Sequence, residues 1–150
     1  MRIALSADHA GVDLKDLLAA WLAEQGHDII DLGTHGHESV DYPRFGASLA
    51  AALADGRAER GITLCGSGIG VAIAANRNPA CRCAQVAEPV SATLARQHND
   101  ANAIALGARL IGVDMAKACV TAFLTTDFLG GRHERRVEML NHPSPDEVSA

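Results

Sequence analysis

The chain has 150 residues, 48% of them hydrophobic, 21% charged and 3% aromatic, the balance of one globular enzyme-sized unit with an ordinary core. Thirteen Lys and Arg against eighteen Asp and Glu give a formal net charge of -5, and no basic run is present to track a phosphodiester backbone, so nucleic acid is not an expected partner. Met1-Arg2-Ile3-Ala4-Leu5 opens with no apolar segment behind a basic region, and no run approaches membrane-spanning length, which points to a cytoplasmic protein with no membrane partner.

Short β-type runs alternate with longer stretches of helical period, without repeats or low-complexity segments, and this pattern predicts a parallel sheet with helices on both faces. Arg2–Ser6 reads as the first strand. A helix follows from about Val12 to Gln25, with Leu14, Leu17, Leu18, Trp21 and Leu22 on one face and Gly26 to end it. Asp28–Asp31 is the second strand. After the Gly33–Val40 loop, Asp41 precedes Tyr42-Pro43 as N-cap and early helical proline; Phe45, Leu49 and Leu53 mark the buried face, and Asp55-Gly56 stops the helix. Arg60–Cys65 is strand three, and Gly66-Ser67-Gly68-Ile69-Gly70 turns into a helix through Val71–Asn76. Arg82–Val86 is strand four. Glu88-Pro89 starts a helix through Ser91–His98, and Ala103–Leu106 is strand five. Asp114–Thr125 is the fifth helix, with Met115, Cys119, Val120 and Phe123 as its apolar stripe and Gly130-Gly131 as its break. Arg132–Leu140 forms one more short helix. Residues 1–140 therefore read as a single α/β domain and 141–150 as a loose tail.

In open α/β sheets, ligands bind outside the carboxyl ends of the strands. Strand one ends in Asp8-His9, strand two in the loop to Tyr42, and strand three in Cys65-Gly66-Ser67-Gly68. The turn after the fourth helix carries His98-Asn99-Asp100, and one cleft is expected to gather all of these. Gly66-x-Gly68-x-Gly70 lacks dinucleotide spacing, because Val71 stands where the third glycine belongs, and no Lys-Ser/Thr follows to make a phosphate loop of the Walker type. Two readings remain: a tight turn that merely needs glycine, or backbone N–H groups at a helix start that stabilise an oxyanion.

Cys65 stands one step before that turn, where a helix N-terminus and neighbouring amides favour a thiolate, so it serves either as base or nucleophile or as a packed small residue. Cys81, Cys83 and Cys119 read as core, with Cys81 and Cys83 pointing the same way from one strand. No CxxC pair and no zinc spacing occur, despite seven histidines, and no metal or other cofactor is expected. His98 is either an acid/base or a cation at a helix C-terminus. His9 beside Asp8 at a sheet edge has little packing purpose. His27, His35, His37, His133 and His142 read as surface residues. Arg132 and Arg136, at i and i+4, either straddle an anion from one helix face or form a solvated basic end, with Arg135 facing elsewhere.

Six blocks in order, Ser6-Ala7-Asp8-His9-Ala10-Gly11, Asp31-Leu32-Gly33-Thr34, Asp41-Tyr42-Pro43, Cys65-Gly66-Ser67-Gly68-Ile69-Gly70, Arg96-Gln97-His98-Asn99-Asp100-Ala101-Asn102 and Gly130-Gly131-Arg132-His133, resemble the ribose-5-phosphate isomerase type B family. That family also contains galactose-6-phosphate and allose-6-phosphate isomerases, and the resemblance runs from about residue 2 to 140. It implies a Rossmann-like three-layer α/β/α sandwich with a five-stranded parallel sheet of order 2-1-3-5-4. It implies a homodimer, or a dimer of dimers, with each active site lined by both subunits.

The chemistry implied is a metal-free aldose–ketose isomerisation of D-ribose 5-phosphate and D-ribulose 5-phosphate through an enediolate, in the pentose phosphate pathway. By the same resemblance Cys65 matches the base that moves a proton between C2 and C1; some members use a nearby glutamate, and position 69 here is Ile. Ser67 and the amides of Gly66, Gly68 and Gly70 match the enediolate hole, and His98 matches the ring-opening residue. Asp8 and Tyr42 match residues that hold the sugar. His9, Arg132 and Arg136 match phosphate-side groups, with Arg109 and Asn99 as further ligands. Val12 departs from the pattern, where an aromatic is common. An isomerase of a 6-phosphate hexose shares all of these features, and one acting on unphosphorylated aldoses would not need Arg132 and Arg136. A flavodoxin-like nucleotide-binding module would share the architecture without needing Cys65 beside His98.

Overall fold

Three strands that read as near-continuous apolar runs form the middle of the sheet, as strands covered on both faces must. They are β1 (Arg2–Ala7), β3 (Arg60–Cys65) and β5 (Ala103–Gly107), flanked by β2 (Asp28–Asp31) and β4 (Cys83–Gln85). All pairs are parallel and the order is β2-β1-β3-β5-β4. This computed structural model describes residues 1–142. The sheet order is the one that the family resemblance implies. A flavodoxin-like sheet runs 2-1-3-4-5, whereas here β5 lies between β3 and β4, so the nucleotide-module alternative fails on topology.

The helices are α1 (Val12–Glu24), α2 (Tyr42–Ala54), α3 (Ile69–Ala75), α4 (Pro89–Asn99), α5 (Val113–Thr125) and α6 (Glu134–Asn141), the last preceded by a 3-10 turn at Gly131–His133. Strand side chains alternate between two cores. Ile3, Leu5, Ile62, Leu64, Ile104 and Leu106 meet Leu14, Leu18 and Leu22 of α1, Ala92 and Ala95 of α4, and Cys119, Val120 and Phe123 of α5. The opposite face carries small residues, Ala4, Ala103 and Ala105, against α2 and α3. Those two helices consequently pack very close: a Cβ on Gly46 of α2 would stand 2.5 Å from the Val71 carbonyl of α3. Two hydroxyls buried on this face are satisfied, because Ser6 Oγ bonds both Thr63 Oγ1 at 2.9 Å and the Phe45 carbonyl at 3.0 Å.

Gly26, at φ +83, and Gly56, at φ +68, follow α1 and α2 as left-handed stops. Asp41 occupies the N-cap position of α2 but its side chain makes no capping bond; Glu88 caps α4 instead, accepting from Val90 N–H at 2.6 Å and Ser91 N–H at 2.7 Å. The Ser91 hydroxyl, together with these backbone bonds, holds the Glu88 carboxyl below its usual range. Two stripe positions differ from expectation: Leu17 and Met115 are exposed, and Lys15 and Ala116 are buried in their helices. α5 ends at Thr125, five residues before Gly130, so the glycine pair starts the next turn and does not end that helix. Of the expected tail, Asn141 belongs to α6, while 143–150 lie outside the described residues. Among the described residues no helix is long and apolar enough to cross a membrane.

Candidate active site

The Cys65 thiol closes β3 with 5% of its surface exposed, at the mouth of the glycine turn. Gly68 N–H donates to its Sγ at 3.1 Å, and Ser67 Oγ lies 4.0 Å from the same sulfur. An N–H aimed at sulfur favours negative charge there. Gly68 is required twice over, by its φ of +78 and because a Cβ would stand 2.9 Å from the Leu106 carbonyl carbon. Ser67 Oγ in turn accepts from Ile69 N–H at 3.3 Å, which ties the hydroxyl to the first turn of α3. The first-turn amides of that helix have no carbonyl partner within it and point toward the strand ends.

Around this turn the topology assembles half of the predicted site. Asp8, 6% exposed, follows β1 and accepts from Ala10 N–H at 2.9 Å. His9 accepts Val40 N–H on Nδ1 at 3.2 Å, so in the neutral ring the proton sits on Nε2, a donor left for a ligand. The Tyr42 ring lies flat on Gly70, where a Cβ would come within 2.6 Å of it. Arg109, exposed, donates its backbone N–H to the Gly66 carbonyl at 3.1 Å and extends its side chain over Gly66. Burial pushes Cys81 up to about 12 and raises Cys83 and Cys119 as well, which keeps all three protonated.

The remaining predicted residues do not join this cleft in one protomer. α4 runs back against the strand direction, so His98 and Asn99 lie at the amino edge of the sheet, just ahead of β5. Asn102, three residues on from Asn99, bonds to the start of β3 through Gly61 N–H at 2.9 Å, while Cys65 pairs with Gly107 at the far end of β5. Ala103 to Gly107 spans about 13 Å of strand, so the expectation of a single cleft is corrected to two half-sites on opposite edges.

At the amino edge His98 stacks on His133, with ring centroids 4.4 Å apart and planes 8° from parallel. His133 is 7% exposed, not the surface residue expected. Burial lowers its proton affinity, and His98, Arg132 and Arg136 push it further down, so both guanidinium charges surround a neutral ring. The 3-10 turn gives Arg132 and Arg136 a tighter register than one regular α-helix predicts, yet both remain exposed at this edge.

Sequence reasoning missed the frame beneath this cluster. Asp100, in a left-handed C-cap at φ 44, accepts from Arg96 at 2.8 Å and from Arg82 at 3.0 Å. Arg82 also reaches Asn141 Oδ1 of α6 at 3.0 Å, joining the two helices that present His98 and Arg136. An arginine that opens a predicted strand carries no pattern that announces such a role.

Comparisons with known proteins agree with the fold. The family model described as Ribose/Galactose Isomerase matches residues 3–140. Ribose-5-phosphate isomerase B of Escherichia coli (strain K12) is 44% identical over 139 residues, covering 93% of each chain. The structure of ribose-5-phosphate isomerase B from Clostridium thermocellum superposes with a TM-score of 0.93 at 45% identity, covering 94% of this chain and 95% of that one. A structure of the enzyme from Mycoplasma genitalium with bound ribulose-5-phosphate gives a TM-score of 0.88 at 33% identity, covering 93% of each chain. With its β2-β1-β3-β5-β4 sheet, its glycine turn under Cys65 and a match over nearly its whole length, this chain belongs to the ribose/galactose isomerase family.

Proposed function

We propose that the protein interconverts D-ribose 5-phosphate and D-ribulose 5-phosphate, in sites built by two copies of the chain. The observation that carries this reading is the Gly68 N–H on Cys65 Sγ at 3.1 Å, beside the Ser67 hydroxyl: a base and its oxyanion donors within one turn. His98 opens the furanose ring. Cys65 takes the C2 proton, the C–H electron pair forms the C1–C2 double bond, and the aldehyde oxygen becomes the enediolate oxygen held by Ser67 and the turn amides. Transfer of the O2 proton to O1 and return of the first proton from Cys65 to C1 leave the carbonyl at C2 and give the ketose. Asp8 and Tyr42 hold the sugar hydroxyls; His9, Arg109, Asn99, Arg132 and Arg136 hold the phosphate end.

The split of the site supports a two-fold pair. α3 exposes Ile69 and Ile73 between two grooves of about 460 and 350 Å³, the second lined by Tyr42 and Gly70. A further cavity of about 350 Å³ reaches from Asn76 to Asn99 and Leu140 at the amino edge. This face therefore runs from one half-site to the other. A two-fold axis across it sets opposite ends against each other, bringing His98 and Arg136 of one protomer to Cys65 of its partner. The cytoplasm and the pentose phosphate pathway are the setting that this substrate suggests.

Substrate choice is tested by kcat/KM on ribose 5-phosphate, allose 6-phosphate, galactose 6-phosphate and free ribose. Ribose 5-phosphate is expected to be the best substrate. Charge-assisted bonds of about 1.5–3 kcal/mol each predict that Arg136→Ala raises KM about ten- to a hundred-fold, while Arg135→Ala leaves it unchanged. Free ribose turned over as well as its 5-phosphate overturns the reading.

A further inference from the structure

Lys15 is fully buried, yet nothing in the reaction above uses it. Its Nζ donates to Asp31 Oδ2 at 2.5 Å and to Asp16 Oδ1 at 2.6 Å. The second Asp31 oxygen accepts Gly33 N–H at 2.8 Å. Gly33 and Thr34 then bracket Ala7: Ala7 N–H donates to the Gly33 carbonyl at 2.6 Å, and Thr34 N–H donates to the Ala7 carbonyl at 2.7 Å. Ala7 is the residue before Asp8 and His9. The same loop returns at Val40, whose N–H is the one bonded to His9 Nδ1. A chain of hydrogen bonds thus runs from a buried ammonium to Ala7, and the loop that it anchors returns to bond His9.

Removing an ammonium from water is costly, and an apolar side chain among Leu14, Leu18 and Leu22 would serve stability as well or better. The charge is therefore retained for what it orients. Burial pulls the Lys15 ammonium down, but the hydrogen bonds and charges of Asp16 and Asp31 outweigh this and raise it above its ordinary value, so it is a fixed cation and not a proton donor. His35 Nδ1, 3.8 Å from Asp31 Oδ2, is the other titratable group near this carboxylate, and it is largely exposed. We propose that Lys15 is a positioning residue for the isomerisation: by holding the Asp31 carboxylate it pins the Gly33–Thr34 segment to Ala7 and so sets Asp8 and His9 against the sugar phosphate.

The kinetic consequence rests on the ribose 5-phosphate reading; the structural one does not. Two variants are compared with the wild type, Lys15→Met and the charge-neutral Lys15→Met/Asp31→Asn, by steady-state kinetics and by amide hydrogen exchange. The single variant is expected to raise KM about ten-fold with kcat within about three-fold. Exchange at Gly33 and Thr34 is expected to quicken at least about ten-fold while β3 and β5 keep their protection. The double variant regains thermal stability, because the part-buried Asp31 carboxylate is no longer left without its partner and the exposed Asp16 is solvated, but its KM stays raised. It also carries the test if the single variant does not fold. A double variant with the wild-type KM, or exchange that quickens equally in β3 and β5, shows a purely structural role and overturns the proposal. If the wild type fails to turn over ribose 5-phosphate, the substrate reading falls, and the exchange pattern alone decides whether Lys15 positions the loop.

Discussion

Replacing Cys65 with alanine lowers kcat by about 10²–10⁴-fold, the loss expected for a missing general base, while KM stays near the wild-type value. In the proposed mechanism the thiol faces the reacting carbons and not the phosphate, so binding is expected to survive its removal. The fold survives too: Cys65 packs in the smaller core under α2 and α3, and removing one sulfur there costs on the order of 1 kcal/mol, a modest part of a domain's stability. Iodoacetate is expected to alkylate Cys65 more slowly in the presence of ribose 5-phosphate, while burial holds the Cys81, Cys83 and Cys119 thiols protonated and so unreactive. Near-normal turnover by Cys65→Ala would move the base to Asp8, the buried carboxylate at the same sheet edge.

The second large effect separates ring opening from proton transfer. His98→Asn is expected to lose about 10²–10⁴-fold in kcat/KM on cyclic ribose 5-phosphate, because the ring must then open without an acid/base. A four-carbon aldose phosphate, whose terminal oxygen carries the phosphate, cannot close a furanose. Its turnover is expected to stay within about ten-fold of wild type. The substitution leaves its surroundings in place, because the turn after α4 is held by Arg82, Arg96 and Asp100 and not by the imidazole. Equal losses on both sugars would assign His98 to the proton transfer itself.

What was legible in the sequence is what period and punctuation encode. β1, β3 and β5 are buried on both faces and are followed by polar or glycine residues, so Asp8, Cys65 and Ser67 could be placed at a strand end by inspection. Lys15 was not legible, for a definite reason. On the helical wheel it lies about 60° from Leu18, nearer the centre of the stripe than Leu17 at about 100°, but a lysine there is credible only once Asp31 of a neighbouring strand is known to face it. His133 was missed in the same way: among the charged residues Arg132, Glu134 and Arg135 it reads as a surface residue, and only the packing of the 3-10 turn on α4 stacks its ring on His98. The separation of His98 from Cys65 could have been read from the alternation alone. In a parallel sheet each helix returns the chain to the amino edge, so a residue at a helix end and a residue at a strand end lie on opposite sides of the layer.

That separation makes the sharing of the site between two protomers the central claim, and mixing two inactive variants tests it. Cys65→Ala and His98→Asn chains are combined by co-refolding, and ribose 5-phosphate isomerisation is measured against each variant alone. If each site takes Cys65 from one protomer and His98 from the other, a mixed dimer carries one site with both lesions and one intact site, and random mixing restores about a quarter of the wild-type activity. If both residues serve the same protomer's site, every site in every dimer keeps one lesion, and the mixture stays as inactive as its parents.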